Sequence, residues 1–141
     1  MILKKIKNIN LIYETEEEGM YNIFGEKFVE NNKNNIKLNI NGKKNDLINK
    51  FKLKKGNNEI KMIIKNKITN LGYMFYECNK IKNINELKYL NTKHCNNLSF
   101  MFYGCSSLSD IKGLENWNVS NGNKFQEMFY HCSSLSDIKP L

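Results

Sequence analysis

The phrase MFYGCSSLSDIKGL, Met101 to Leu114, returns almost letter for letter as MFYHCSSLSDIKPL, Met128 to Leu141. A weaker copy starts at Met74, so Met74-Phe75, Met101-Phe102 and Met128-Phe129 share one column with a step of 27 residues. Four further columns keep that step: Leu71, Leu98 and Phe125; Cys78, Cys105 and Cys132; Ile81, Leu108 and Leu135; Ile84, Ile111 and Ile138. Five columns in one register exclude a composition accident. A fixed period of this size marks an array in which each unit buries its apolar face against its neighbours.

Within a unit, Leu98, Met101, Phe102 and Cys105 stand at i, i+3, i+4 and i+7, the spacing that gathers side chains on one face of a helix. Leu71 to Cys78 and Phe125 to Cys132 repeat the spacing. The unit therefore reads as a short helix, a turn at SSLSD whose Ser and Asp bond to their own backbone, a brief Ile-centred strand and a returning loop. In the middle unit that loop is ENWNVSNGN, with Trp117 and Val119 facing inward and Gly122 easing the turn.

The fold class expected is α+β. It comprises a leucine-rich-repeat solenoid of about three 27-residue units over 69–141, with short parallel strands plus short helices, preceded by a small β-rich capping module over 1–68. Leu141 matches Leu114, so the last unit carries no counterpart of ENWNVS. The expectation is a fragment of a longer repeat protein, with an uncapped last unit open to edge-to-edge self-association.

In the first half, IKLNINGKK alternates Ile36, Leu38 and Ile40 inward and reaches Asn41-Gly42, a two-residue hairpin signal. NLIYET and NEIKMIIKNKI are further strand candidates, the latter running into the first repeat and expected to shield the array's apolar end. NDLINKF predicts one helical turn capped by Asn45 or Asp46.

Asn, Lys and Ile, all with A/T-rich codons, dominate the composition, and Arg is absent. The net charge of +8 is read through that bias, and it sits mainly in the first half: 15 Lys against 8 acids over 1–70, and 7 against 6 over 71–141. Without Arg for bidentate phosphate or base recognition, and with ETEEEG among the lysines, neither nucleic acid nor an anionic membrane is the expected partner. No run approaches the roughly 20 apolar residues of a bilayer span. The N-terminus has no secretory core, so a cytoplasmic location and reduced thiols are expected.

The three in-register cysteines are spaced by the repeat, unlike the close pairs of zinc sites, and read as core. Cys95 stands outside that register. His94-Cys95 and His131-Cys132 are chain neighbours that point apart and make no nucleophile and base pair. Asn97 and Asn118 match glycosylation acceptors, as chance allows in so Asn-rich a chain. No catalytic, cofactor or metal residue is assigned, and no enzyme is expected.

LSFMFYGCSSLSDIKGLENWNVSN and FQEMFYHCSSLSDIKPL closely resemble the BspA-like leucine-rich repeats of surface proteins over 71–141, with CNKIKNINEL a departure in the first unit. NIFGEKFVENNKN, Asn22 to Asn34, resembles a leader that precedes such repeats. The resemblance implies a binding solenoid with adhesive or scaffolding roles, a protein partner, a cell-surface location if the chain is a fragment, and no transferable site residue. The alternative is an accessory repeat region of a cytosolic signalling protein whose enzymatic domain lies outside this chain. Positions that differ between matching units, Glu77, Gly104 and His131 or Lys82, Ser109 and Ser136, are the exposed candidates.

Overall fold

Asn41-Gly42 turns the chain as its sequence requires, with φ of 49° and 90° at the two residues. The turn joins β3 (Ile36–Ile40) to β4 (Lys43–Asp46), with Ile40 opposite Lys43. Residues 7–117 and 124–136 are described in this computed structural model. The remaining elements of the first half are β1 (Lys7–Thr15), β2 (Gly19–Asn22), α1 (Glu26–Asn32), β5 (Lys50–Leu53) and β6 (Gly56–Ile64).

Period-2 burial builds the main sheet. Ile9, Leu11 and Tyr13 of β1, Ile36, Leu38 and Ile40 of β3, and Ile60 and Met62 of β6 are all buried, while the intervening residues are largely exposed or half-buried. β6 lies between β3 and β1, paired antiparallel from Lys7↔Ile64 to Thr15↔Gly56 on one side and from Ile36↔Ile64 to Ile40↔Ile60 on the other. A short second sheet pairs β2 with β5. Asn58 is fully buried and saturated: its amide oxygen accepts from the Lys54 backbone N–H (3.1 Å) and Asn41 Nδ2 (2.8 Å), and its Nδ2 donates to Lys54 O (2.9 Å) and Gly56 O (3.2 Å). One side chain thus ties the β3–β4 turn to the connection between β5 and β6.

The structure overturns the expected α+β leucine-rich-repeat solenoid. The described residues form mostly antiparallel sheet with one short α-helix, α1, and that helix lies before the repeats. The repeats themselves are built from turns. β7 (Ile81–Asn83) is the one strand of the first unit, and it pairs antiparallel with β1, completing the order β4-β3-β6-β1-β7. A 3-10 helix, Asn85–Tyr89, follows it. Among the described residues, the expected ladder of parallel strands is reduced to one isolated bridge, Asn97↔Lys124.

The physical reason lies in the backbone of each MF phrase. Tyr73 and Glu77 (φ 62° and 58°), Phe100 and Gly104 (57° and 75°), and Glu127 and His131 (48° and 60°) are left-handed, which no right-handed helix accommodates. They are the third residues of successive β-turns: Met74 N–H donates to Leu71 O (3.2 Å) and Cys78 N–H to Phe75 O (3.0 Å), with equivalent bonds in both later units. Two four-residue turns in tandem bury their first and last residues. Those residues fall at i, i+3, i+4 and i+7, the same set as a helical face.

Two other expectations need correction. NDLINKF forms no helical turn: Leu47 to Asn49 link β4 to β5, and Asn49 Nδ2 donates to Phe24 O (2.5 Å). The strand β6 lies inside the sheet, between β3 and β1, and its buried Ile60 and Met62 share one core cluster with the repeat columns. Direct contacts to the first unit come from the segment between β2 and α1 and from α1 itself. Gly25 N–H donates to Met74 O (2.9 Å), the Phe24 ring stacks on Phe75 at 5.7 Å, and Asn32 Nδ2 from α1 donates to Asn70 O (3.0 Å).

Candidate interaction surface

Alternate amides of the first two tandem turns leave their unit and tie it to the next. Leu71, Tyr73, Phe75 and Glu77 donate to Asn97, Ser99, Met101 and Tyr103 carbonyls at 2.6–3.1 Å. Leu98, Phe100, Phe102 and Gly104 donate to Lys124, Gln126, Met128 and Tyr130 carbonyls at 2.8–2.9 Å. Side chains add to this ladder, since Ser107 Oγ donates to Asn79 O (2.6 Å), Ser134 Oγ to Ser106 O (2.5 Å) and Trp117 Nε1 to Leu87 O (2.9 Å). Asn70 and Asp110 each accept the N–H two residues on, which starts a turn in the way the Ser- and Asp-rich stretches suggested.

The inward side carries the columns named from sequence. Leu71 and Leu98, the three Met residues, Cys78, Cys105 and Cys132, and Ile81 and Leu108 are buried. The rings of Phe75, Phe102 and Phe129 stack at 5.5 and 5.6 Å. Phe125 departs from its column and is 43% exposed. The thiols act as core donors: Cys105 Sγ lies 3.2 Å from Phe75 O and Cys132 Sγ 2.9 Å from Phe102 O, each bonding to the preceding unit. Burial pushes the Cys95 and Cys132 thiols up to about 11 and those of Cys78 and Cys105 well above their ordinary value, so a nucleophilic thiolate is disfavoured at all four.

His94 and His131 are exposed while their neighbours Cys95 and Cys132 are buried, so neither adjacent pair is brought together. Among the described residues, no three His, Cys, Asp or Glu side chains gather as metal ligands. Asn97 is half-buried with its Oδ1 accepting from Ser99 N–H, while Asn118, Val119 and Ile138 lie outside the described residues. No described helix is long and apolar enough to cross a membrane.

The outward side carries a feature the sequence reading passed over. Tyr73 stacks on Phe100 at 4.8 Å, Tyr76 on Tyr103 at 4.7 Å, and Tyr103 on Tyr130 at 5.4 Å, in two files crossing the units. These rings are half-buried, and Tyr130 is 50% exposed. Lys27 from α1 sits 4.6 Å from the Tyr73 centroid, and His131 packs edge-on to Tyr103 and Tyr130. Desolvation, then the neighbouring Tyr76, Glu127 and Glu77, raises the Tyr103 hydroxyl above its ordinary value. The signal was present as the Tyr that follows Met-Phe in all three units. Of the variable candidates, Glu77 and His131 are exposed and Gly104 is half-buried, while Lys82 is exposed in β7 and Ser109 and Ser136 are exposed after the tandem turns of their units.

Residues 45–140 match the family described as Mycoplasma protein of unknown function, DUF285. No curated protein and no solved structure matches the chain. The matched span takes in the last strands of the first-half sheet and every repeat column, well over half of the sequence, and the chain belongs to the DUF285 family.

Proposed function

We propose that this chain is a non-catalytic protein-interaction module of adhesive or scaffolding type. The observation that carries the reading is the half-exposed aromatic stripe of Tyr73, Phe100, Tyr76, Tyr103 and Tyr130, held in register by two backbone ladders. Tyr is enriched in protein interfaces because its ring contributes large contact area while losing little rotamer freedom, and its hydroxyl bonds at the rim. The repeat phrases' resemblance to BspA-like surface proteins favours a protein partner at a cell surface. The reactive groups support a non-enzymatic role, since all four thiols serve the core and both histidines stand apart from them.

A photo-crosslinking amino acid at Tyr103, compared with one at the distant Lys44, tests the proposal. Capture of a discrete protein only from position 103, abolished by Tyr76→Asp with Tyr130→Asp, is the expected result. A partner held equally well by the Asp variants, or turnover of a substrate by the purified chain, would refute it.

A further inference from the structure

Gly104 interrupts a column of long side chains. Residues 77, 104 and 131 hold the seventh position of successive tandem turns, all with positive φ, and the ladder joins them through Glu77 N–H on Tyr103 O (2.6 Å) and Gly104 N–H on Tyr130 O (2.8 Å). Glu77 and His131 are exposed, and between them Gly104 leaves a gap. At about 4.8 Å between paired backbones, the residues on either side stand on the order of 10 Å apart, room for one flat side chain. A Cβ added at Gly104 would lie 3.3 Å from Glu77 Cα and 3.5 Å from its Cγ, so the glutamate leans towards the gap. His131 is turned to the tyrosines, its ring 4.1 Å from that of Tyr130 and 5.7 Å from that of Tyr103. Tyr103 itself stacks between Tyr76 and Tyr130, which covers both faces of its ring and leaves its edge and hydroxyl to a ligand. Desolvation first, then Tyr76, Glu127 and Glu77, raise that hydroxyl, so carboxylates from the units before and after it act at one point. Glu77 forms no ion pair among the described residues, and Lys27 and Lys80 are held over Tyr73 and Tyr21. On a chain of net charge +8, this acidic point is a local arrangement.

We propose that the protein partner of the tyrosine stripe inserts an arginine side chain over Gly104, its guanidinium shared by the carboxylates of Glu77 and Glu127 and the Tyr103 hydroxyl. The inference rests on the interaction-module reading and names the chemistry of its partner. A guanidinium suits this point better than an ammonium. It is planar, stays charged, carries five N–H donors in a fixed fork that serves several acceptors at once, and is the more weakly hydrated of the two. Bonds from such a donor to carboxylates are shorter and stronger than neutral ones. A position without a side chain lets the flat group approach the backbone. The chain contains no Arg, so the inserted residue belongs to a different protein and not to a second copy.

The test titrates the full, isotope-labelled chain with the blocked tripeptide Gly-Arg-Gly and with its Lys and citrulline analogues, followed by amide resonances. The arginine peptide is expected to shift Glu77 and Gly104 saturably, the lysine peptide to bind more weakly, and the uncharged citrulline peptide to leave them in place. Glu77→Gln with Glu127→Gln, both exposed positions, should weaken the arginine peptide by about threefold or more. Gly104→Asn, a residue that tolerates positive φ, fills the gap and should abolish the shift. Equal shifts with the citrulline peptide, or arginine binding undiminished in the Gln pair, would overturn the inference. A photo-crosslinker at Phe100 separates it from the broader reading. A protein captured equally well by wild type and the Gln pair overturns the arginine contact and leaves the module reading standing. Arginine-peptide binding with no protein captured sinks the module reading and keeps the gap as a guanidinium site.

Discussion

Replacing Glu77 by Gly separates a tandem turn from a helix by the sign of its effect. Glu77 has φ of 58°, its N–H bonds to Tyr103 O, and its carbonyl accepts from Asn22 Nδ2 (3.2 Å). All of these are main-chain features that Gly preserves. Its side chain is exposed and its counterpart in the second unit is already Gly104, at φ of 75°. A non-Gly residue in the left-handed region costs about 1–2 kcal/mol. Gly returns about 0.5–1 kcal/mol of that as extra backbone entropy in the unfolded chain. The net expectation is a gain of about 0.5–1 kcal/mol, whereas Gly inside a helix would cost about 1 kcal/mol. With a urea slope of about 1–3 kcal/mol per molar, the midpoint should rise by a few tenths of a molar. Chemical denaturation followed by the fluorescence of Trp117, the single Trp, reads it directly. A fall in the midpoint of comparable size would refute the turn geometry and restore the helical reading.

Gly25→Ala is expected to be among the most damaging conservative changes, because the added Cβ would lie 1.9 Å from the Tyr73 carbonyl oxygen. A loss of about 1–3 kcal/mol should appear as a lower melting temperature. Asn58→Ala strips two donors and two acceptors of their buried partner and should cost about 2–4 kcal/mol in urea titration, while Asn57→Ala, one residue away, serves as the mild control. The thiols predict an alkaline weakness. Cys95 and Cys132 are raised from 9.0 to about 11 in the folded chain, so their contribution is complete below pH 9 and is lost as pH rises through 9 to 11, where the unfolded thiols ionise first. Urea midpoints at pH 8 and pH 10.5 should differ accordingly, and Cys132→Ala should narrow the difference.

The period, the buried columns and the Asn41-Gly42 hairpin were legible because each depends on local spacing or on a residue pair with a strong conformational preference. The form of the repeat was not. Over eight residues, a helical face and two tandem turns bury the same four positions, and Gly104 was the one column member whose chemistry argued for positive φ. Capping by Phe24-Gly25 could not be read at all, since it joins residues about fifty apart and is invisible to periodicity. NDLINKF was misread for a related reason: the partner of β5 is GMYN, which has no alternating apolar pattern to announce a strand. In the candidate site the cysteines were legible as packing from their spacing alone. The tyrosine stripe lacks that signal, because its rings are half-exposed and form a column beside the buried ones.

The same ladder governs how such a gene can change. Each junction reuses one set of backbone positions, and the contacts specific to the first half of the chain (Gly25 with Met74, Asn32 with Asn70, Phe24 with Phe75) involve the first unit only. An in-frame duplication or deletion of one 27-residue unit between Met101 and Met128 would recreate a junction of the same kind and leave those contacts untouched. Repeat number can therefore drift between generations while the lid stays fixed, lengthening or shortening the tyrosine stripe by about one ring spacing each time.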